Sequence, residues 1–344
     1  MRNHEFWSGT RLTPRILPLL PPKANSYLDF DTTVLGVRRL YAGTDTMGDK
    51  EDFLDLMYYL LGWFLGDLGK QFGNRRLMTV GLNLSLTKGY LENQKLGDFV
   101  FFQCVQKLGV PARRQGDRAP DKSSQYGAYL WDCRRSPLFG WFHLVCLGLK
   151  WDERASHVPV KMNWILTAPL RRRLWFIRGL ADSDGDVHFN DKSVGITTTP
   201  NTDFVYSLLK SVGCKPRIDF DLESSRVVTS VQEAAKISIF NPALQTHRRK
   251  RLDKLASART FMRHWPASLQ NKVNRLLAYG RGTKDIRDRI LEEDGIFVRL
   301  ATLKRKQSKY QNLKFEAEGC RGRDSSPRPS GAATPSPDLP PGRL

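Results

Sequence analysis

Residues 59–68 read YLLGWFLGDL and residues 176–185 read FIRGLADSDG, one pattern written twice. Tyr59 aligns with Phe176, Gly62 with Gly179, Gly66 with Ser183, and Asp67 with Asp184. Each copy has an apolar lead-in, small residues four apart, and an acid directly after the second small residue. The stretches Asp52–Asp67 and Leu170–Asp184 hold no proline and are rich in Leu, Phe and Trp, so both are expected to be helices. Small residues at i and i+4 share one stripe of a helix. A stripe of Gly62 and Gly66, or of Gly179 and Ser183, lets a second helix approach until the backbones nearly touch. Two such stripes in one chain call for the helices to pack on each other about a pseudo-two-fold axis. Asp67 and Asp184 then meet at one edge of the interface, with the negative ends of two helix dipoles behind them. Such a pair repels unless something positive sits between, and a hard divalent cation with oxygen ligands is the natural occupant.

The text after each helix repeats as well. In Leu77–Thr87, Val80, Leu82, Leu84 and Leu86 alternate with Gly81, Asn83, Ser85 and Thr87, the pattern of a strand with one polar face. After the second helix, Val187 and Phe189 alternate with His188 and Asn190, and Ser193–Thr199 follows. Each strand region leads to a helical run that closes on glycine, at Gly109 and at Gly213. Further strands are expected at Tyr126–Cys133 and Arg226–Gln232. Each half therefore reads as α+β, with helix, hairpin, helix, strands and more helix.

The chain carries 55 Lys+Arg against 35 Asp+Glu, a formal charge of +20, which points to a polyanionic partner. From Arg248 to Lys309 there are 18 basic residues against 6 acidic ones, so +12 of that excess lies in one stretch. No apolar run is long enough to cross a membrane and no signal peptide is evident, so a cytoplasmic, nucleoid-associated or organellar protein is expected. Five Cys with no CxxC pair argue against a disulfide framework or a zinc ribbon. The HxxC pair His143 and Cys146, with Cys133 upstream, reads as core, as do Tyr59, Trp63 and Phe176.

In these two motif copies and the elements that repeat after them, the chain resembles the LAGLIDADG homing endonucleases in their single-chain, two-motif form. FIRGLADSDG is close to the family pattern and YLLGWFLGDL is a degenerate copy, with Leu65 where the second copy has Asp182 and Leu68 where the motif ends in Gly. The resemblance spans roughly residues 50 to 255. It implies a pseudo-two-fold pair of αββαββα halves whose saddle-shaped antiparallel sheets straddle duplex DNA. It also implies that Asp67 and Asp184 hold Mg2+ or Mn2+ at the scissile phosphates. The family carries a polar residue on a central strand and a Lys further on. Ungapped counting from the glycines at 109 and 213 lands on Asn93 and Thr197, and counting on from Pro242 lands on His247, with Arg248 beside it.

The candidate DNA contacts on the hairpins are Lys70, Arg75, Arg76, Lys88, Arg113, Arg114, Lys122, Gln125, His188, Asn190, Lys192, Arg217 and Arg226. Residues 268–310 contain three helical runs separated at Gly280–Gly282 and Asp294–Val298. They read either as a helix-turn-helix whose recognition helix carries Arg299, Lys304 and Arg305, or as a plain basic helical bundle. The expected organisation is an irregular arm at 1–50, halves at 51–158 and 159–258, a basic helical module at 259–312 and a Pro/Ser/Gly-rich disordered tail at 313–344. Because both half-sites lie in one chain that begins with Met1 and ends without the terminal Asn of an intein, a free-standing, intron-encoded monomer is expected. Its leading function is site-specific, metal-dependent cleavage of duplex DNA. The alternatives are an RNA maturase acting on intron RNA and a DNA-binding regulator that does not cut.

Overall fold

The computed structural model describes residues 47–72, 78–85, 90–120, 127–220, 224–260 and 265–321. Arg75, Arg76, Lys88, Lys122 and Gln125 lie outside these residues, as do most of the N-terminal arm and the end of the tail. The fold is mixed α and β with antiparallel sheets, and the chain divides into two compact units between Ala258 and Arg259.

In the first unit, helix α1 (Met47–Leu65) leads to strands β1 (Gly69–Phe72) and β2 (Met78–Ser85), then helix α2 (Tyr90–Asp98). That helix continues as a π-helical run through Val105, followed by β3 (Ala112–Arg118), β4 (Ala128–Cys133) and the short helix α3 (Pro137–Trp141). Helix α4 (Leu170–Asp184) opens the second series, with β5 (Gly185–His188), β6 (Ser193–Thr197), α5 (Thr202–Ser211), β7 (Arg217–Phe220) and β8 (Ser225–Ser230). Helices α6 (Val231–Lys236) and α7 (His247–Ser257) complete the unit. The two four-stranded sheets have the same order, β1-β2-β4-β3 and β5-β6-β8-β7.

Alternation gives each sheet an apolar and a polar side. Val80, Leu82, Trp131 and Cys133 are buried on one sheet, and Val187, Val194, Ile196 and Val227 on the other. On the outward side of the first lie Gln71, Thr79, Asp132 and Arg113, and of the second His188, Thr197, Arg226 and Arg217.

The repeated helices pack as the small-residue stripes require. A Cβ on Gly62 would overlap the carbonyl oxygen of Phe176 and stand 2.7 Å from Leu180 N, and one on Gly179 would overlap the carbonyl oxygen of Tyr59. The contacts advance in the same direction along both helices. Asp55 meets Arg171 (2.6 Å) and Arg172, the Tyr59 ring meets Trp175, Gly62 meets Gly179, and Gly66 meets Ser183. Helices α1 and α4 are therefore parallel, and their C-termini converge. Tyr59, Trp63 and Phe176 are fully buried, as are His143 and Cys146.

The second unit contains β9 (Arg259–Thr260), α8 (Ala267–Ala278), α9 (Thr283–Asp294), β10 (Ile296–Phe297) and α10 (Leu300–Arg321). Leu269, Val273, Ile286, Ile290, Val298 and Leu303 form its own apolar core. Helix α10 runs to Arg321, beyond the expected end of the module at residue 312. The expected irregular arm likewise gives way to helix four residues early, at Met47.

Candidate active site

Helix α1 ends at Leu65, and the chain leaves it through a wide turn in which Leu68 N donates to Trp63 O at 3.3 Å. Asp67 sits in that turn, exposed, while Asp184 is the last residue of α4 and half-buried. The absence of a side chain at Gly66 brings them together. A Cβ there would overlap Ser183 Oγ and stand 2.5 Å from Asp184 Oδ2. Asp184 and Asp67 are within hydrogen-bonding reach of each other. Burial first, and then the neighbouring Asp67 carboxylate, push the Asp184 carboxyl up to about 7.

A cleft of about 400 Å³ opens beside the pair, lined also by Lys70, Thr197, Asn201 and Arg154. Lys70, on β1, folds its stem over the Phe64 ring with Nζ 4.9 Å from the centroid. Burial lowers its ammonium to about 8 against the opposing pull of Asp184 and Asp67. Arg248 donates from Nη1 to the carbonyl oxygens of Asp182 (2.6 Å) and Ser183 (3.1 Å). It thus places a guanidinium against the negative end of α4, where a cation is favoured.

Several predicted positions require correction. Asn93 is on helix α2, not on a central strand. The middle helical run of the first half, α2 plus its π segment, spans residues 90–105, whereas its counterpart α5 spans only 202–211, so an ungapped count from the closing glycine slips. By sheet register, the first-half position matching Thr197 is Asn83. His247 does not line the cleft. It opens α7 with Nδ1 3.9 Å from Glu92, and Arg248 is the residue that reaches the α4 carbonyls. Arg114 lies on the inward side of its strand, its guanidinium 4.5 Å from the Tyr129 centroid and its Nη2 2.6 Å from Asp117, because neighbouring strand residues face opposite ways.

Arg113 faces outward but is held by Asp132 at 2.8 Å, and Arg217 is held by Asp219 (3.0 Å) and Asp191 (2.9 Å). His188 Nε2 lies 3.4 Å from Arg226 on the same face. Asn190 and Lys192 are in the β5–β6 turn, where Lys192 Nζ donates to Ala258 O at 3.3 Å. Sequence reasoning gave Arg154 no role and left Arg248 as a neighbour. Nothing local marks either one, because Arg154 comes to the wall of the cleft and Arg248 to the α4 carbonyls only through long-range packing.

No protein-family model and no curated protein matches the chain. Among solved structures, I-DmoI in complex with DNA and Mn is 18% identical, covers 56% of this chain and 98% of its own, and has a TM-score of 0.35. Mesophilic variants of the homing endonuclease I-DmoI give 19% identity, coverage of 53% and 92%, and a TM-score of 0.34. Full-length DUF199/WhiA from Thermatoga maritima gives 10% identity, coverage of 75% and 90%, and a TM-score of 0.37.

The two motif copies differ in one consequential way. Leu65 is buried at the wall of the cleft, whereas its counterpart Asp182 is buried and accepts hydrogen bonds from Tyr59 Oη (2.8 Å) and Asn241 N (3.2 Å). Burial raises the Asp182 carboxyl to about 7, and those donors only partly offset it. A carboxyl raised by folding binds its proton more tightly in the native state, so its contribution to stability falls as pH rises from about 4 to about 7. His143 and His247, both lowered by burial, act in the opposite sense. They are common to wild type and an Asp182→Asn variant. Relative to wild type, Asp182→Asn is therefore expected to gain about 5 °C or more in Tm between about pH 5 and about pH 8, in metal-free thermal unfolding.

Proposed function

We propose that the protein is a divalent-metal-dependent endonuclease of the LAGLIDADG type that hydrolyses phosphodiester bonds in duplex DNA. The observation that carries this reading is the parallel packing of α1 and α4, which sets Asp67 and Asp184 side by side at two converging negative helix ends. Two adjacent carboxylates form a hard, oxygen-only donor set of the kind that holds Mg2+ or Mn2+ with waters and substrate phosphate completing the shell. The side-chain-free space at Gly66 keeps that donor set open.

A bound divalent ion supplies a Lewis acid for the phosphoryl oxygen and a water of lowered pKa. The chain's own residues position the phosphodiester around it. Asp67 and Asp184 would hold the metal, and Arg248 ties the end of α4 in place through the carbonyls of Asp182 and Ser183. Lys70 and Arg154 present positive charge to the same cleft, and the Thr197 hydroxyl lies on its wall. The outward faces of the two sheets, with Gln71, Thr79, His188 and Arg226, form the surface on which we place the DNA. Two such faces in one chain allow a monomer to address both strands of one site.

The test is to incubate the full-length protein with a randomised duplex library and Mg2+ or Mn2+, then sequence the cut ends. Recurrent cleavage at one sequence is expected. Specific duplex binding with no cutting under either metal would indicate a non-cleaving regulator, and binding confined to structured intron RNA a maturase.

A further inference from the structure

Over its first three turns, helix α10 of the second unit packs one side on that unit's core. Leu303 is fully buried in the unit's core, Tyr310 packs on that core, and the Lys306 stem turns back so that Nζ lies 4.5 Å from the Trp265 ring centroid. These positions mark the inward stripe. At 100° per residue, the opposite stripe is Ala301, Arg305, Ser308 and Asn312, all exposed. Ser308 Oγ donates to Lys304 O at 3.1 Å, which ties its hydroxyl down against its own helix. The centre of the outward face is thus two low positions alternating with one arginine and one asparagine. Lys304 and Lys309, also exposed, flank it on either side.

Charge distribution separates this face from the rest of the unit. Several cations of α8 and α9 are neutralised internally, Lys272 by Glu293 (2.8 Å) and Asp294 (2.6 Å), and Arg289 by Glu293 (2.6 Å), whereas Arg275 and Lys284 are in none of the ion pairs among the described residues. Arg281 lies 3.6 Å from Asp285 and Arg287 2.8 Å from Asp288. Between Gly295 and Phe315 the sequence holds no acid at all. Among the described residues, none of the ion pairs includes Arg299, Lys304, Arg305 or Lys309.

We propose that the outward face of α10 docks in the major groove of duplex DNA, with Arg305 and Asn312 on base edges and Lys304 and Lys309 on the phosphates of the two groove walls. The groove is about 12 Å wide and admits one α-helix, and low side chains at 301 and 308 let the backbone approach the base edges. Arginine pairs with guanine and asparagine with adenine through two hydrogen bonds each. Two lysines at opposite margins of a helix match two strands of phosphate, a pairing that supplies affinity without sequence preference. This function is separate from cleavage and needs neither metal nor the acid pair.

The experiment is a binding titration of the full-length protein on labelled duplex in metal-free buffer, at several salt concentrations. For a Lys304→Gln/Lys309→Gln double variant, affinity is expected to fall for every duplex, and the slope of log K against log salt to become shallower by about 1.8. For Arg305→Ala, duplexes selected from a random pool by the wild type are expected to lose about tenfold or more of their advantage over unselected duplex, with little change in the salt slope, because the lost contacts are to base edges and not to phosphate. These side chains are exposed, and unchanged circular dichroism and Tm would establish that the variants fold. An unchanged affinity and salt slope in the double variant overturns the proposal, as does a loss seen only on structured RNA. Because no step involves cutting, an inactive nuclease would leave these readouts intact.

Discussion

Asp184→Asn is expected to leave the protein folded and able to bind duplex DNA while lowering Mg2+-dependent cleavage by about a thousandfold or more, roughly 4 kcal/mol of transition-state stabilisation. The amide has the shape of the carboxyl but lacks the anionic oxygen that a hard cation requires. Because the native Asp184 carboxyl is raised to about 7, the neutral amide also removes an unfavourable buried charge. The metal-free variant should therefore be at least as stable as wild type near pH 8. Asp67→Asn is expected to act in the same direction. Single-turnover cleavage of the selected duplex, with binding measured in parallel without metal, separates the two effects. A variant that cuts within tenfold of wild type would falsify the assignment of the metal to this pair.

The second large effect concerns the helix interface. Gly179→Ala or Gly62→Ala places a methyl group inside a backbone carbonyl of the partner helix, and no flexible side chain is available to yield. Overpacking of this kind costs about 3 kcal/mol, or about 6–12 °C in Tm for a domain of this size. Any relief must come from separating α1 and α4, which parts Asp67 from Asp184, so cleavage should be lost together with stability. Gly69→Ala is the control. Its Cβ would stand 3.5 Å from Gly81 O, an ordinary contact, and neither Tm nor activity should change appreciably. Equal losses in all three variants would show that the close approach is not what holds the acids together.

Much of the first unit was legible in the chain because its cues are short in range. Small residues four apart, the acid after them, and period-two strands each depend on a few neighbouring positions. Register in the first half was not legible. The π run at Phe99–Val105 lengthens the middle helix without any change in apolar pattern, so the count that located Thr197 misplaced its partner at Asn93. Arg114 was misread for a related reason. Strand alternation sets it on the inward side beside Tyr129, and the register shift before Gly116 obscures that phase in the text.

By itself the sequence determined that there would be two helices with a small-residue stripe and an acid at the end of each, since helical periodicity and side-chain size are written locally. Only the tertiary structure decided that these helices run parallel, that Gly66 leaves room for both carboxylates, and that Arg248 and Lys70 converge on them where His247 does not. Those outcomes are set by backbone approach and by which side of an element faces the core. Both are properties of contacts between residues far apart in the chain, which no local pattern encodes.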